Sequence, residues 1–162
     1  LAEKYDWLWI LDADALVTDL DVKVPELVQP YAIFMARHVV NPAPSPPWNV
    51  NIGVTIWNLR HTETPKLVQH WYRRCWWRIL RRRPDDDQRP LQAILRASKK
   101  RQTFIQWDNE LPVFYKHFTR GNAQSHGWSE TSIADRVAKI QAVGRQVCQK
   151  YYPHDPAAPC EY

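Results

Sequence analysis

The segment that most constrains the fold is an apolar run that leads into two closely spaced aspartates. Residues Trp7 to Leu11 are all apolar, and Asp12 and Asp14 follow them almost directly. A run this short, bounded by polar residues, is typical of a strand buried on both faces, as in a parallel sheet. In open α/β sheets, ligands bind at the carboxyl ends of the strands. We therefore predict an α/β fold with a ligand site at Asp12 and Asp14.

The two aspartates are suited to a divalent cation. Residues i and i+2 of an extended chain project to the same side, so both carboxylates can face one point. Hard oxygen donors favour Mg²⁺ or Mn²⁺, and either ion can in turn neutralise a diphosphate. The simpler alternative is that Asp12 and Asp14 only form a turn, since Asp is common where strands end. The buried strand that is predicted before them favours the cation site.

Length and charge are compatible with an enzyme that takes an anionic substrate. The chain has 162 residues, enough for one domain. Residues 1–60 contain seven acidic and four basic side chains, a net charge of −3, and the remainder contains 18 basic and 10 acidic ones, a net charge of +8. An acidic, cation-holding part beside a basic part suits a nucleotide sugar or a nucleic acid. Charge alone does not choose between them.

The cysteines and the start of the chain lead to two further expectations. Cys75, Cys148 and Cys160 lack the spacing of a metal site. One disulfide is possible in an oxidising compartment, and Cys148 with Cys160 closes the shorter loop. The chain begins a few residues before its first predicted strand, without an initiator methionine or a leader, so we expect a fragment of a longer protein.

Hydrophobic patterning predicts alternating strands and helices. A proline-rich segment at 41–47 cannot join a sheet interior, so it is predicted to be a loop, of a kind that can act as a flap over a substrate. A short helix is expected at 26–29 and a terminal amphipathic helix at 133–150, with its buried side formed by Ile133, Val137, Ile140, Val143 and Val147. Strands are predicted at 5–12, 31–36, 54–59, 103–107 and 114–121.

Two helices are predicted between the third and fourth strands. Thr64 is expected to be the N-cap of the first helix, with Pro65 at its first position. The arginines of this helix are expected to form a solvated face, with a nucleic-acid or membrane contact as the alternative. Residues 85–88 cap the second helix, and 99–101 are expected to close its last turn. The predicted buried residues are Leu67, Trp71, Cys75 and Ile79 in the first helix and Leu91, Ile94 and Leu95 in the second.

Four polar motifs then stand in one order along the chain. They are Trp-Ile-Leu-Asp12-Ala-Asp14, Asn51-Ile-Gly53, Asp86-Asp87-Gln88 and His117-Phe-Thr-Arg-Gly121. This order resembles the metal-dependent GT-A glycosyltransferases, most of all the Golgi family of retaining α-galactosyl-, α-mannosyl- and xyloglucan xylosyltransferases. The resemblance covers residues 5–125. It implies a Rossmann-like nucleotide-diphospho-sugar transferase fold, with 1–125 as the metal- and acceptor-binding part and 126–162 as a C-terminal helix and irregular tail.

The resemblance also implies a role for each motif. Asp12 and Asp14 are similar to the motif that binds Mn²⁺ (or Mg²⁺) and the diphosphate, and His117 is similar to the last metal ligand, with His126 as its rival. Arg89 and Arg120 are expected to add positive charge. The cofactor-facing positions are Asn51, Gly53 and Gly121, and the positions near the reacting sugar carbon are Asp86, Asp87 and Gln88.

The implied activity is transfer of a hexose or pentose from a UDP- or GDP-sugar to a glycan acceptor, with retention of configuration. By the same resemblance, the parent protein is a Golgi type II membrane protein, anchored by a segment that this chain lacks, and no nucleic-acid partner is expected. In this fold the units that bind the nucleoside precede the Asp-x-Asp strand. We therefore expect the isolated chain to be inactive or to bind a nucleotide sugar weakly.

Two other functions are consistent with some of these features. Paired aspartates also hold the metals of nucleotidyltransferases and related nucleotide enzymes. The arginine- and tryptophan-rich helix is compatible with a non-catalytic module that binds RNA or an anionic glycan. The first alternative predicts a third carboxylate beside Asp12 and Asp14, and the second predicts salt-sensitive binding that survives the loss of both aspartates.

Overall fold

The chain folds into short strands and helices of mixed α/β type. The computed structural model describes residues 3–28, 31–37, 46–82, 86–107, 114–118 and 133–153. The strands are β1 (Trp7–Leu11), β2 (Ala15–Val17), β3 (Ile33–Arg37), β4 (Val50–Asn58), β5 (Ile105–Trp107) and β6 (Tyr115–His117). The helices are α1 (Val24–Val28), α2 (Glu63–Leu80), α3 (Gln88–Arg96), α4 (Lys99–Gln102) and α5 (Ile133–Tyr151).

Four of the strands form one mixed sheet, in the order β1-β4-β3-β5. Strand β3 pairs with β4 in the antiparallel sense and with β5 in the parallel sense. Ile33 lies at the centre of this arrangement, opposite Trp57 on one side and Ile105 on the other, and all three side chains are buried. The predicted α/β class is confirmed, but the sheet is not the wholly parallel one that a buried first strand implies.

Strand β1 is present where the sequence predicts it, but it is not buried on both faces. Among the described strands, β1 lies at the edge of the sheet beside β4. Trp9, Ile10 and Leu11 are 37%, 39% and 41% exposed. The prediction of a doubly buried strand is therefore wrong for this chain, because an apolar run favours a strand without specifying what covers it.

Helix α2 packs against the sheet through its first half. It begins at Glu63 with Thr62 as N-cap, so the prediction of Thr64 as N-cap is wrong. The buried Thr64 hydroxyl instead donates to the Asn58 carbonyl at 2.6 Å, which joins the helix to the end of β4. Two turns later, the ring of Trp71 stacks on Trp57 with centroids 5.6 Å apart. The predicted burial of Ile79 is wrong, since its side chain is 59% exposed.

Helix α3 completes this core as predicted. Leu91, Ile94 and Leu95 are at most 1% exposed and pack with the buried residues of the sheet and α2. Residues 99–101 do not close α3, which ends at Arg96. They belong to the separate helix α4, because the Ser98 side chain accepts a hydrogen bond from the Arg101 backbone and starts a new helix there.

The chain divides into two units. The first contains residues 1–10 and 23–112, and the second contains residues 11–22 and 113–162. The predicted division at residue 125 and the proline-rich loop at 41–45 lie outside the described residues. In the part of the chain that is described, no helix is long and apolar enough to cross a membrane.

The second unit is built on a two-stranded sheet of β2 and β6, against which α5 packs. Val143 of α5 is buried as predicted, whereas Ile133 and Val137 are 69% and 46% exposed, so their predicted burial is wrong. Cys148 is disulfide-bonded and Cys75 is free, which confirms the expectation of one disulfide at Cys148. Its expected partner Cys160 lies outside the described residues.

Candidate metal centre

The β2–β6 ladder brings the first and fourth sequence motifs together. In this antiparallel pair, Ala15 lies opposite His117. The backbone N–H of Phe118 donates to the Asp14 carbonyl at 2.8 Å, which extends the pairing to the aspartates. Asp12 and Asp14 themselves lie in the turn between β1 and β2, where the Ala15 N–H donates to the Asp12 carbonyl at 3.0 Å. Residues 103 apart in sequence thus become neighbours through backbone pairing.

The side chains of Asp12, Asp14 and His117 converge on one point. His117 Nε2 lies 3.2 Å from Asp14 Oδ1 and 3.5 Å from Asp12 Oδ2. One ligand atom from each of the three residues lies within 4.8 Å of the other two. The His117 side chain is 4% exposed and that of Asp12 is 57% exposed. The cluster therefore has a buried imidazole at its base and a carboxylate open to solvent.

The separations and the donor set fit a divalent cation. The ligands of an octahedral ion with bonds of ~2.1 Å lie between ~3 Å and ~4.2 Å from one another. The two distances from His117 Nε2 fall inside that range. One imidazole nitrogen and two carboxylates are ligands that Mn²⁺ accepts, and the open side of Asp12 leaves room for oxygens of a bound substrate.

The Nδ1 atom of His117 differs in its hydrogen bonding from that of an established metal-binding histidine. His117 Nδ1 is buried, and among the described residues it has no hydrogen-bond partner. A metal-bound histidine usually donates its second N–H to an acceptor that fixes the ring. Here the ring is oriented by its Nε2 contacts with Asp12 and Asp14 and by its position on β6.

Arg136 is a fourth charged residue of this cluster. Its Nη1 lies 3.0 Å from Asp14 Oδ2, so the two oxygens of Asp14 face different partners, His117 and Arg136. Arg136 lies in the first turn of α5, and its side chain is 21% exposed. Sequence reasoning missed this residue, because no short-range spacing relates positions 122 apart, and only the predicted helix at 133–150 pointed to this region.

The second and third motifs meet each other in the first unit. The Gln88 side-chain oxygen accepts a hydrogen bond from the Ile52 backbone at 3.3 Å. On the same strand, the Gly53 N–H donates to Asn51 Oδ1 at 2.8 Å, a local turn that orients the amide of a buried asparagine. Asn51, Gly53 and Gln88 are therefore brought together, as one site would require. Their contacts also have a plain structural function, since they join α3 to β4.

The acidic pair before α3 acts partly as a helix cap. Asp86 Oδ1 accepts a hydrogen bond from the Arg89 backbone at 2.7 Å, and Arg89 Nε lies 3.6 Å from Asp86 Oδ2. Asp87 is exposed, and its backbone carbonyl accepts the indole N–H of Trp71 at 2.7 Å. Gly121, Arg120 and the rival ligand His126 lie outside the described residues.

Comparison with known proteins finds no match for this chain. No protein-family model, no characterised protein and no solved structure matches the chain. The function must therefore be argued from the site itself.

Proposed function

We propose that this chain is the metal-holding part of a GT-A glycosyltransferase, which transfers a hexose or pentose from a UDP- or GDP-sugar to a glycan acceptor. The supporting observation is the convergence of Asp12, Asp14 and His117. Asp14 and His117 are 103 residues apart in the sequence, and strand pairing brings them together. The simpler alternative is a hydrogen-bonded His117–Asp14 pair that only stabilises the fold, and metal binding distinguishes the two.

In this proposal three residues of the cluster bind the metal ion and the fourth, Arg136, supplies a positive charge. Asp12, Asp14 and His117 hold Mn²⁺ or Mg²⁺, which when bound supplies Lewis-acid stabilisation to a departing diphosphate. Arg136 adds a fixed positive charge beside Asp14. Two carboxylates, one arginine and a divalent ion sum to a positive charge, so the loaded cluster favours an anionic ligand such as a diphosphate.

The remaining assignments are part of the same proposal. Asp86, Asp87 and Gln88 act near the reacting sugar carbon, and Asn51 and Gly53 shape the turn that faces donor and acceptor. The reaction retains the configuration of the sugar, and the parent protein works in the Golgi lumen as a type II membrane protein. Support for these assignments is the motif order together with the Gln88–Ile52 contact, which joins the second and third motifs.

The experiment that tests the proposal is calorimetric titration of the chain with Mn²⁺, with and without UDP. We expect measurable Mn²⁺ binding that UDP strengthens. Because carboxylates supply most of the ligand set, Asp14→Asn should weaken Mn²⁺ binding at least ~10-fold, and the Asp12→Asn/Asp14→Asn double variant should abolish the effect of UDP.

A matched control removes a carboxylate elsewhere. Glu26→Gln deletes an exposed acid of α1 that pairs with Lys23, and it should leave Mn²⁺ binding unchanged. Equal Mn²⁺ binding by the chain and the Asp12/Asp14 double variant would show that the aspartates only form a turn. Tight binding of UDP, with no preference for UDP-sugars, would instead favour a nucleotidyl enzyme.

A further inference from the structure

Helix α2 carries a second apolar stripe on the side that faces away from the core. The side chains of Tyr72, Trp76, Ile79 and Leu80 are 67%, 51%, 59% and 57% exposed, and Val68 is 41% exposed. We call these five residues the outer stripe. Single exposed apolar residues are ordinary on a protein surface, but a contiguous set of this size marks an interaction site.

The spacing of these residues makes the stripe continuous. Positions 68, 72, 76 and 80 are four residues apart, and position 79 is three residues after 76, so these side chains follow one another along one side of the helix. The buried side of α2 is formed by Thr64 and Leu67, with the stacked ring of Trp71 beside them. Because the two sets occupy different sides of α2, the outer stripe has no part in the core of the first unit.

The surface beside the outer stripe is strongly basic. Residues 64–82 contain six basic residues and no acidic one: Lys66, Arg73, Arg74, Arg78, Arg81 and Arg82. Arg101 Nη1 lies 2.9 Å from His70 Nδ1, which brings α4 and its exposed Lys99 and Lys100 next to α2. A partner for this face must therefore be anionic as well as apolar.

We infer that the outer face of α2 binds the surface of an anionic lipid bilayer. A helix that lies in the interface inserts tryptophan, tyrosine and aliphatic side chains among the acyl chains, while arginines contact the headgroups. The outer stripe supplies the aromatic and aliphatic side chains. Arg73 and Lys66 lie beside it and supply the positive charges. The aliphatic members Val68, Ile79 and Leu80 favour lipid over nucleic acid, since nucleic acids offer mainly phosphates and base faces to a basic surface.

This surface belongs to the first unit, whereas the metal cluster belongs to the second. The inference therefore does not depend on the proposed transferase activity. Membrane binding in this mode needs no helix that spans the bilayer, because the helix lies in the plane of the interface.

The test is co-sedimentation of the 162-residue chain with lipid vesicles. One set contains phosphatidylcholine only, and the other contains phosphatidylcholine with phosphatidylserine. We expect binding to the anionic vesicles, weaker binding to the neutral ones, and a decrease with added salt. Arg73→Gln should lower the partition coefficient roughly fivefold.

A matched pair of variants separates the stripe from general surface hydrophobicity. Trp76→Ser/Ile79→Ser removes the centre of the outer stripe and should reduce vesicle binding more than ~10-fold. Ile133→Ser/Val137→Ser removes two exposed apolar residues from α5 and should leave binding unchanged. Circular dichroism of both variants establishes that each has folded.

Three results would overturn the inference. The first is an absence of binding to the anionic vesicles. The second is equal loss in the two double variants. The third is a concentration-dependent dimer, or tighter binding to a single-stranded oligonucleotide than to vesicles. In either case Trp76→Ser/Ile79→Ser would disrupt the interaction and Ile133→Ser/Val137→Ser would not. The outer stripe would then be a protein or nucleic-acid interface.

Discussion

The carboxylate of Asp14 contacts a different residue through each of its oxygens. Oδ1 faces the imidazole of His117, and Oδ2 faces the guanidinium of Arg136. A cation that binds Asp14 must therefore approach a carboxylate that already has a fixed positive neighbour. Electrostatic repulsion between Arg136 and the cation opposes metal binding, and an anion that joins the metal relieves that repulsion.

At this residue scale, Arg136→Gln should strengthen Mn²⁺ binding in the absence of UDP and reduce the effect that UDP has on that binding. Without UDP, the variant should bind Mn²⁺ roughly 10-fold more tightly, because one positive charge beside a carboxylate that is only 23% exposed has been removed. With UDP, the gain in Mn²⁺ affinity that the nucleotide confers should shrink. Calorimetric titration under both conditions measures the two effects.

Arg136→Lys is the control for this prediction. It keeps the positive charge and should retain most of the dependence on UDP. Weaker Mn²⁺ binding by Arg136→Gln under both conditions would contradict the prediction, and would show that Arg136 mainly holds Asp14 in place.

At the scale of elements, Tyr151 ties the end of α5 to the segment after β2. Its hydroxyl donates to Asp19 Oδ1 at 2.6 Å and accepts the Leu20 N–H at 3.1 Å. The hydrogen bond from Tyr151 is the main cause of a lowered pKa for Asp19, followed by the backbone N–H of Asp21. Because α5 also carries Arg136, this contact helps to fix the helix that lines the cluster.

Tyr151→Phe should raise the pKa of Asp19 toward its ordinary value. A carboxyl whose pKa is lowered by folding stabilises the fold above its unfolded pKa, and that stabilisation is lost as the pH falls through the folded value. The variant should therefore show a weaker dependence of unfolding free energy on pH below ~4. NMR titration of Asp19 and urea unfolding across this range provide the measurements.

Tyr152→Phe provides the comparison, since Tyr152 is the neighbouring residue and is 49% exposed. Its pH dependence should match that of the unchanged chain. An Asp19 pKa that stays the same in Tyr151→Phe would mean that the backbone and Lys150 determine it instead.

At the scale of the whole molecule, stability should depend most on the interface between α3 and the sheet. Leu91 is fully buried in the main core cluster. Leu91→Ala should lower the free energy of unfolding by ~2–5 kcal/mol, because it removes buried methyl groups and leaves a cavity. A loss of that size is a large fraction of the ~5–15 kcal/mol that stabilises a typical domain.

Urea unfolding measures this loss, and Lys66→Ala is the control. Lys66 is exposed and pairs with Glu63, so its removal should cost less than ~1 kcal/mol. A similarly small loss for Leu91→Ala would show that the core relaxes to fill the cavity.

The sequence was informative wherever the signal is local. The strand before Asp12, the burial of Leu91, Ile94 and Leu95, and most helix positions follow from apolar spacing within a few residues. The error at Ile79 has a definite cause. Helix α2 has an apolar set on each of two sides, and periodicity alone cannot decide which set faces the core.

The residue chemistry of the candidate site can be read from the sequence: two aspartates follow a strand, and a histidine stands in a later motif. Their meeting depends on the fold, because the register of β2 and β6 places His117 beside Asp14. The fold also determines that Arg136 joins them and that β1 lies at an exposed edge. Local patterns specify secondary structure, whereas pairing register and coverage depend on residues distant in the chain.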